Sequence, residues 1–180
     1  MTAEELSDQK KEGNRLLVGI QIDSSSRELL NWALAKIAVP NDRVIAVLSY
    51  HDSEEDSNTL VHLIKSLKDY LAVYKGICSA RKIDLVGQVS GGKSIRKVLV
   101  REAKLCGATT VVVGISKHNA FGCSLSLARY CAKMLLPCTS VLAIKDGKIV
   151  FQKYATATKP LPEEDAKQGS VHRLGRCPHG

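Results

Sequence analysis

Aromatic side chains are scarce: Phe, Trp and Tyr together make up 4% of the 180 residues. The core must therefore be aliphatic, which suits a parallel sheet covered on both faces. The same scarcity argues against a stacking platform for nucleic acid, which needs exposed rings. No run of roughly 18 apolar residues occurs, so no helical membrane span is expected. The N-terminal MTAEELSDQKKEGN has no apolar h-region for secretion, and Thr2 stands where a myristoyl signal needs Gly. The six cysteines, Cys78, Cys106, Cys123, Cys131, Cys138 and Cys177, form no C-x-x-C pair and fit no zinc spacing. They read as reduced, mostly buried thiols of a cytoplasmic protein. Kinase signatures are absent: no G-x-G-x-x-G, no H-R-D and no D-F-G. No Ser-His-Asp or Cys-His grouping is suggested. The chain is thus expected to be non-catalytic, and any kinase would lie outside it.

Positive charge is what the chain has in excess. It carries 26 Lys and Arg against 18 Asp and Glu, a formal net charge of +8. Residues 15–150 alone hold 19 cations and 11 carboxylates, and the two ends cancel. A basic globular body favours anionic partners, an acidic protein among them.

Apolar periodicity alternates between strand and helix. Residues 15–22, RLLVGIQI, read as a buried strand that ends at Asp23, with Asp23 to Ser26 capping a helix. Leu29, Leu30, Ala33, Leu34 and Ile37 recur at helical spacing. A second strand spans Val44–Ser49. After the acidic loop HDSEEDSN, one long amphipathic helix is expected from about Leu60 to Ala80. A third strand covers about 83–89, and a third helix follows with Ile95, Val98, Leu99 and Ala103 inward. Residues 109–114, TTVVVG, form a fourth strand. A fourth helix carries Leu127, Ala128, Cys131, Ala132 and Leu135, and Ser140 to Ile144 is a fifth strand. Asp146-Gly147 then turns the chain into IVF, a hairpin signal. Simple alternation places Ile149 and Phe151 on one face. Five strands alternating with four helices imply a doubly wound α/β domain over residues 15–154. Residues 1–14 and 155–180 are expected to be flexible.

Four stretches invite a functional reading. The first, Gly87 to Ser94, reads GQVSGGKS and fits the phosphate-binding G-x-x-x-x-G-K-[ST] letter for letter. A hydrolase would use Lys93 and Ser94. However, the first Gly of such a loop must end a strand, and Gly87 lies inside one. The related S-G-G-x-D-S loop of ATP pyrophosphatases lacks its Asp here. A Gly-rich turn with Ser capping the next helix is the preferred reading. The second is the third helix, where Lys93, Arg96, Lys97, Arg101 and Lys104 share a broad face broken by Glu102 alone. The third and fourth are metal readings: His51, Asp52, Glu54, Glu55 and Asp56 lack calcium-loop spacing, and His172, Cys177 and His179 sit in the tail. Neither is expected to bind metal in function.

By position, the best small-molecule site is a crevice between Asp23 and Gly114. Ligands of such sheets bind where strand order reverses, at the carboxyl ends of the strands. Ser116, Lys117, Ser124 and Ser126 lie in the loop after Gly114, which leads to a helix N-terminus suited to anions.

These residues resemble the universal stress protein family over about residues 15–144. The likeness rests on Leu17 to Ser25 (LVGIQIDSS), on Gly91 through Gly114, and on Thr139 to Ile144. The stretches DSSSRELLNWAL, ARYCAKMLLPCTSVLAI and KDGKIVF resemble a narrower group, the universal-stress-like domains that precede a kinase in plant receptor-like cytoplasmic kinases. This resemblance implies an adenine-nucleotide α-hydrolase-like sheet of order 3-2-1-4-5. It implies dimerisation through the fifth strand, at Val141, Leu142, Ala143 and Ile144. It also implies a phosphate loop G-x2-G-x9-G-[ST] beginning at Gly114. Here the second position is Lys117, the third is Leu127 and the hydroxyl position is Ala128. Three departures out of four imply a degenerate site that holds ATP or AMP weakly, in a regulatory or protein-interaction domain that requires no cofactor. An intact ATP/AMP sensor is the alternative, and a P-loop hydrolase is the distant one.

Overall fold

The computed structural model describes residues 12–52, 57–115 and 125–156. In chain order the elements are β1 (Arg15–Ile20), α1 (Ser24–Lys36), β2 (Arg43–Tyr50), α2 (Ser57–Ala72), α3 (Lys75–Ala80), β3 (Asp84–Gly91), α4 (Ile95–Cys106), β4 (Thr110–Gly114), α5 (Leu125–Met134), β5 (Ser140–Lys145) and β6 (Lys148–Lys153). The sheet order is β3-β2-β1-β4-β5-β6. The first five strands are parallel, and β6 folds back antiparallel on β5. The expected doubly wound sheet of order 3-2-1-4-5 with a hairpin extension is therefore present.

Alternation along each strand sorts the side chains into two cores. Leu16, Val18, Ile20, Val44, Ala46 and Leu48 meet α1, α2 and α3 on one face. Leu17, Ile45, Val47, Val111, Val113 and Val141 meet α4 and α5 on the other. Both cores are almost wholly aliphatic, as the composition requires.

The structure corrects several expectations. Where one long second helix was expected, there are two. The chain turns at Val73-Tyr74, and the Tyr74 amide bonds back to the Leu71 carbonyl at 3.0 Å, a tightened last turn. β-branched Val73 and Gly76 are both poor in a helix interior. The first strand ends at Ile20, not Ile22. The Gln21 amide leaves the ladder and donates to Ser26 Oγ at 2.8 Å. Asp23 thus sits in the turn that follows the strand, as the cap of α1.

The hairpin also departs from simple alternation. Ile144 pairs with Ile149, but Ala143 pairs with Phe151, so an irregularity absorbs Val150. Directly paired residues share a face. Ile149 therefore follows Ile144 to the first core side, and Phe151 packs against the second core. The two lie on opposite faces.

Hydrogen bonds tie down both ends of the described fold. The Asn14 amide donates to buried Asp42 at 2.9 Å, and the Thr156 amide donates to the Pro137 carbonyl at 2.9 Å. Both donors lie just outside the expected 15–154. Most of the expected flexible ends, 1–11 and 157–180, lies outside the described residues. None of the described helices is long and apolar enough to cross a membrane.

Candidate functional site

At GQVSGGKS no phosphate nest forms. Gly87 is mid-strand, paired with Ala46 of β2. Among the described glycines only Gly107 and Gly147 have positive φ, so the 87–92 backbone does not curl its N–H groups around an anion. These glycines are explained by close packing. A Cβ on Gly87 would lie 2.7 Å from Leu71 Cδ1, and one on Gly92 would lie 2.5 Å from Val98 Cγ2. Lys93 is exposed. Ser94 occupies the N-cap of α4, but its hydroxyl makes no capping bond. The expected Ser cap is thus positional only.

The basic helix is α4. Glu102, read from the sequence as an interruption of its charged face, is instead buried. Its carboxylate accepts from Arg101 Nε and Nη2 at 3.1 and 3.0 Å, and from the Gln88 amide. Arg101 also donates to the Gly91 carbonyl at 3.0 Å. This cluster ties α4 to β3. A buried carboxylate needs such partners to offset its lost hydration.

A cavity of about 250 Å3 opens at the carboxyl ends of the strands. Its wall includes Asp23 and Gly114, brought together because β1 and β4 are neighbours. This is the switch point, where both flanking crossovers leave in opposite directions. Asp23 is held firmly. Its Oδ1 accepts from the Ser26 amide at 2.7 Å, and its carbonyl accepts from Tyr70 Oη at 2.9 Å. Arg27 lies 4.3 Å above the Tyr70 ring. Burial, ahead of the nearby charges, pushes the Tyr70 phenol up to about 12.

Of the loop residues expected to join this site, Ser116, Lys117 and Ser124 lie outside the described residues. Ser126 is described, is exposed on the first turn of α5 and does not line the cavity. Leu127 does line it, and Ala128 is buried in the second core. The position where the family pattern has a hydroxyl is thus a packing residue here.

Sequence reasoning missed the rest of the rim. Glu28 reaches the cavity from α1, and Asp146 and Gly147 reach it from the β5–β6 turn. Asp-Gly was legible as a turn, but not as a wall of the crevice. The described lining carries three carboxylates, Asp23, Glu28 and Asp146, and no Lys, Arg or His. No group of three or more His, Cys, Asp or Glu among the described residues is placed to hold a metal ion.

The edge expected to dimerise is not free. Val141, Leu142, Ala143 and Ile144 are all buried, and the outer ladder of β5 is paired with β6. The open edge on that side of the sheet is β6.

Solved structures define the class of this arrangement: it is the fold of the universal stress proteins. An Arabidopsis thaliana universal stress protein family protein with AMP bound covers 73% of this chain and 91% of its own, at TM-score 0.50 and 14% identity. A universal stress protein in complex with cAMP covers 74% and 97%, at TM-score 0.52 and 21% identity. One from Archaeoglobus fulgidus covers 73% and 93%, at TM-score 0.54 and 18% identity. At sequence level the chain is similar to Protein kinase STUNTED of Arabidopsis thaliana, 38% identical over 163 residues. That match takes in 89% of this chain and 25% of the kinase, so the chain spans about a quarter of its relative's length. No family model matches.

Proposed function

We propose that this chain is a non-catalytic, universal-stress-like regulatory domain whose nucleotide site is degenerate. The observation that carries this reading is the charge of the cavity. Its described lining holds three carboxylates and no cation. These three carboxylates repel a triphosphate. Leu127 and Ala128 add to this, because neither supplies the close backbone approach or the hydroxyl donor of the family pattern. The kinship to a plant protein kinase suggests that the regulated activity belongs to a longer protein.

A second reading has its own support. The cavity and a rigidly capped Asp23 persist, and two solved relatives by fold were found with AMP and cAMP. On that reading the domain senses an adenine nucleotide. Calorimetry with ATP and magnesium separates the two. The degenerate site predicts a Kd on the order of 100 μM or weaker, about −5.5 kcal/mol. It also predicts tighter binding after Lys117→Gly, Leu127→Gly and Ala128→Ser are combined. Low-micromolar binding by the unmodified protein would establish the sensor instead.

A further inference from the structure

The two helical layers of this domain differ in charge. The layer of α1, α2 and α3 is mixed: it has Arg27, Lys36, Lys65, Lys68 and Lys75, with Glu28 and Asp69 among them. The layer of α4 and α5 has Arg96, Lys97, Arg101, Lys104, Arg129 and Lys133, with Glu102 as the only carboxylate on either helix. Glu102 is buried and consumed by Arg101. Five exposed cations therefore share one face with no exposed carboxylate on these two helices.

Apolar surface is also exposed at the end of α5. Met134, at the end of α5, is 42% exposed, and Leu136 just beyond it is 60% exposed. Tyr130 is half-buried under Arg96, whose guanidinium carbon lies 5.4 Å from the ring centre. By helical spacing, Arg96, Val100 and Lys104 run down one flank of α4, and Tyr130 and Met134 share a flank of α5. The Arg96–Tyr130 stack shows that these flanks face each other. The two helices therefore pack side by side and present one continuous surface.

We propose that the α4–α5 face docks an acidic amphipathic helix of a partner protein. Its carboxylates would meet Lys97, Lys104 and Lys133, and its apolar side would cover Met134 and the Arg96–Tyr130 stack. Charge complementarity selects the sign of the partner. The exposed Met and Leu select a protein over a polyanion, because a nucleic-acid backbone gains nothing from covering them, and the one ring here is already stacked on Arg96. The proposal rests on the regulatory reading for its purpose, but not for its chemistry.

The test uses the full chain and a synthetic helical peptide of Glu and Leu at amphipathic spacing. The unmodified protein is expected to bind it, with amide shifts confined to α4 and α5. Combined Lys97→Glu, Lys104→Glu and Lys133→Glu should weaken binding at least tenfold. Lys36→Glu, Lys65→Glu and Lys68→Glu carry the same net change on the opposite layer, and should leave it within about twofold. If the reversal unfolds the protein, the corresponding Lys→Gln set should still weaken binding. Equal losses from both layers would reduce the effect to net charge and overturn the proposal. So would no binding at all, or tighter binding of duplex RNA or of phosphatidylserine vesicles through the same lysines. Loss of self-association in the α4–α5 variant would assign the face to a second copy instead. Failure of peptide binding with weak ATP binding intact sinks this proposal alone, whereas low-micromolar ATP binding sinks the degenerate-site reading and leaves the docking face standing.

Discussion

Tyr70 on α2 donates its phenol to the main-chain carbonyl of Asp23 at 2.9 Å, across 47 residues of chain. The bond locks the second helix onto the turn that presents Asp23 to the cavity. Tyr74, one turn on, donates to the Arg27 carbonyl at 3.4 Å. Two tyrosines thus brace the start of α1, and the geometry of the site depends on a helix outside its wall.

Tyr70→Phe should lower stability by about 1 kcal/mol, the ordinary worth of one such bond. It should also change the alkaline limb. The folded pKa, about 12, lies above the ordinary value of 10.0 because burial favours the neutral phenol. This contribution is therefore fully present below pH 10 and is lost as pH rises through about 12. Urea unfolding at pH 9 and pH 11 checks it. An alkaline loss of equal size in wild type and Tyr70→Phe would assign that loss to other groups.

Glu102→Ala should cost about 2 kcal/mol. It strips partners from the Gln88 amide and the Arg101 guanidinium at once, and Arg101 only partly regains hydration. Glu102→Gln should cost less, since it keeps an acceptor. Denaturant midpoints rank the two, and an unchanged midpoint for Glu102→Ala would show that the buried cluster contributes nothing net.

Gly87→Ala and Lys93→Ala separate packing from phosphate chemistry. The first drives a methyl into Leu71 and Leu67 and should cost about 1–3 kcal/mol. The second alters an exposed side chain and should stay within about 0.5 kcal/mol. Thermal melts measure both. A measurable ATPase activity abolished by Lys93→Ala would restore the phosphate-loop reading.

Gly147→Ala should cost about 1 kcal/mol. Its φ of 72° is left-handed, and open space around it means that the penalty is conformational, not steric. Faster amide exchange across β6 than across β1 in this variant is the expected signature. Unchanged protection of Ile149 to Phe151 would show that β6 is held by its packing, not by its turn.

The sequence by itself determined the strand and helix order, because aliphatic runs of period two and stripes of period 3.6 record which faces are buried. It determined that Asp23 caps a helix, because that chemistry is local: Ser26 lies three residues away. It also showed that GQVSGGKS begins inside a strand, not at its end, and so cannot cradle phosphate. Other features depended on contacts distant in the chain. Glu102 looked like an exposed charge until β3 brought Gln88 beneath it. Glu28 and Asp146 became walls of the crevice with Asp23 only because β1, β4 and β5 lie side by side. Phe151 crossed to the face opposite Ile149 because the β5–β6 register slips by one residue. The charge of the cavity and the basic layer of α4 and α5 are sums over residues scattered along the chain. Only the folded sheet, by placing those residues on a shared surface, decided them.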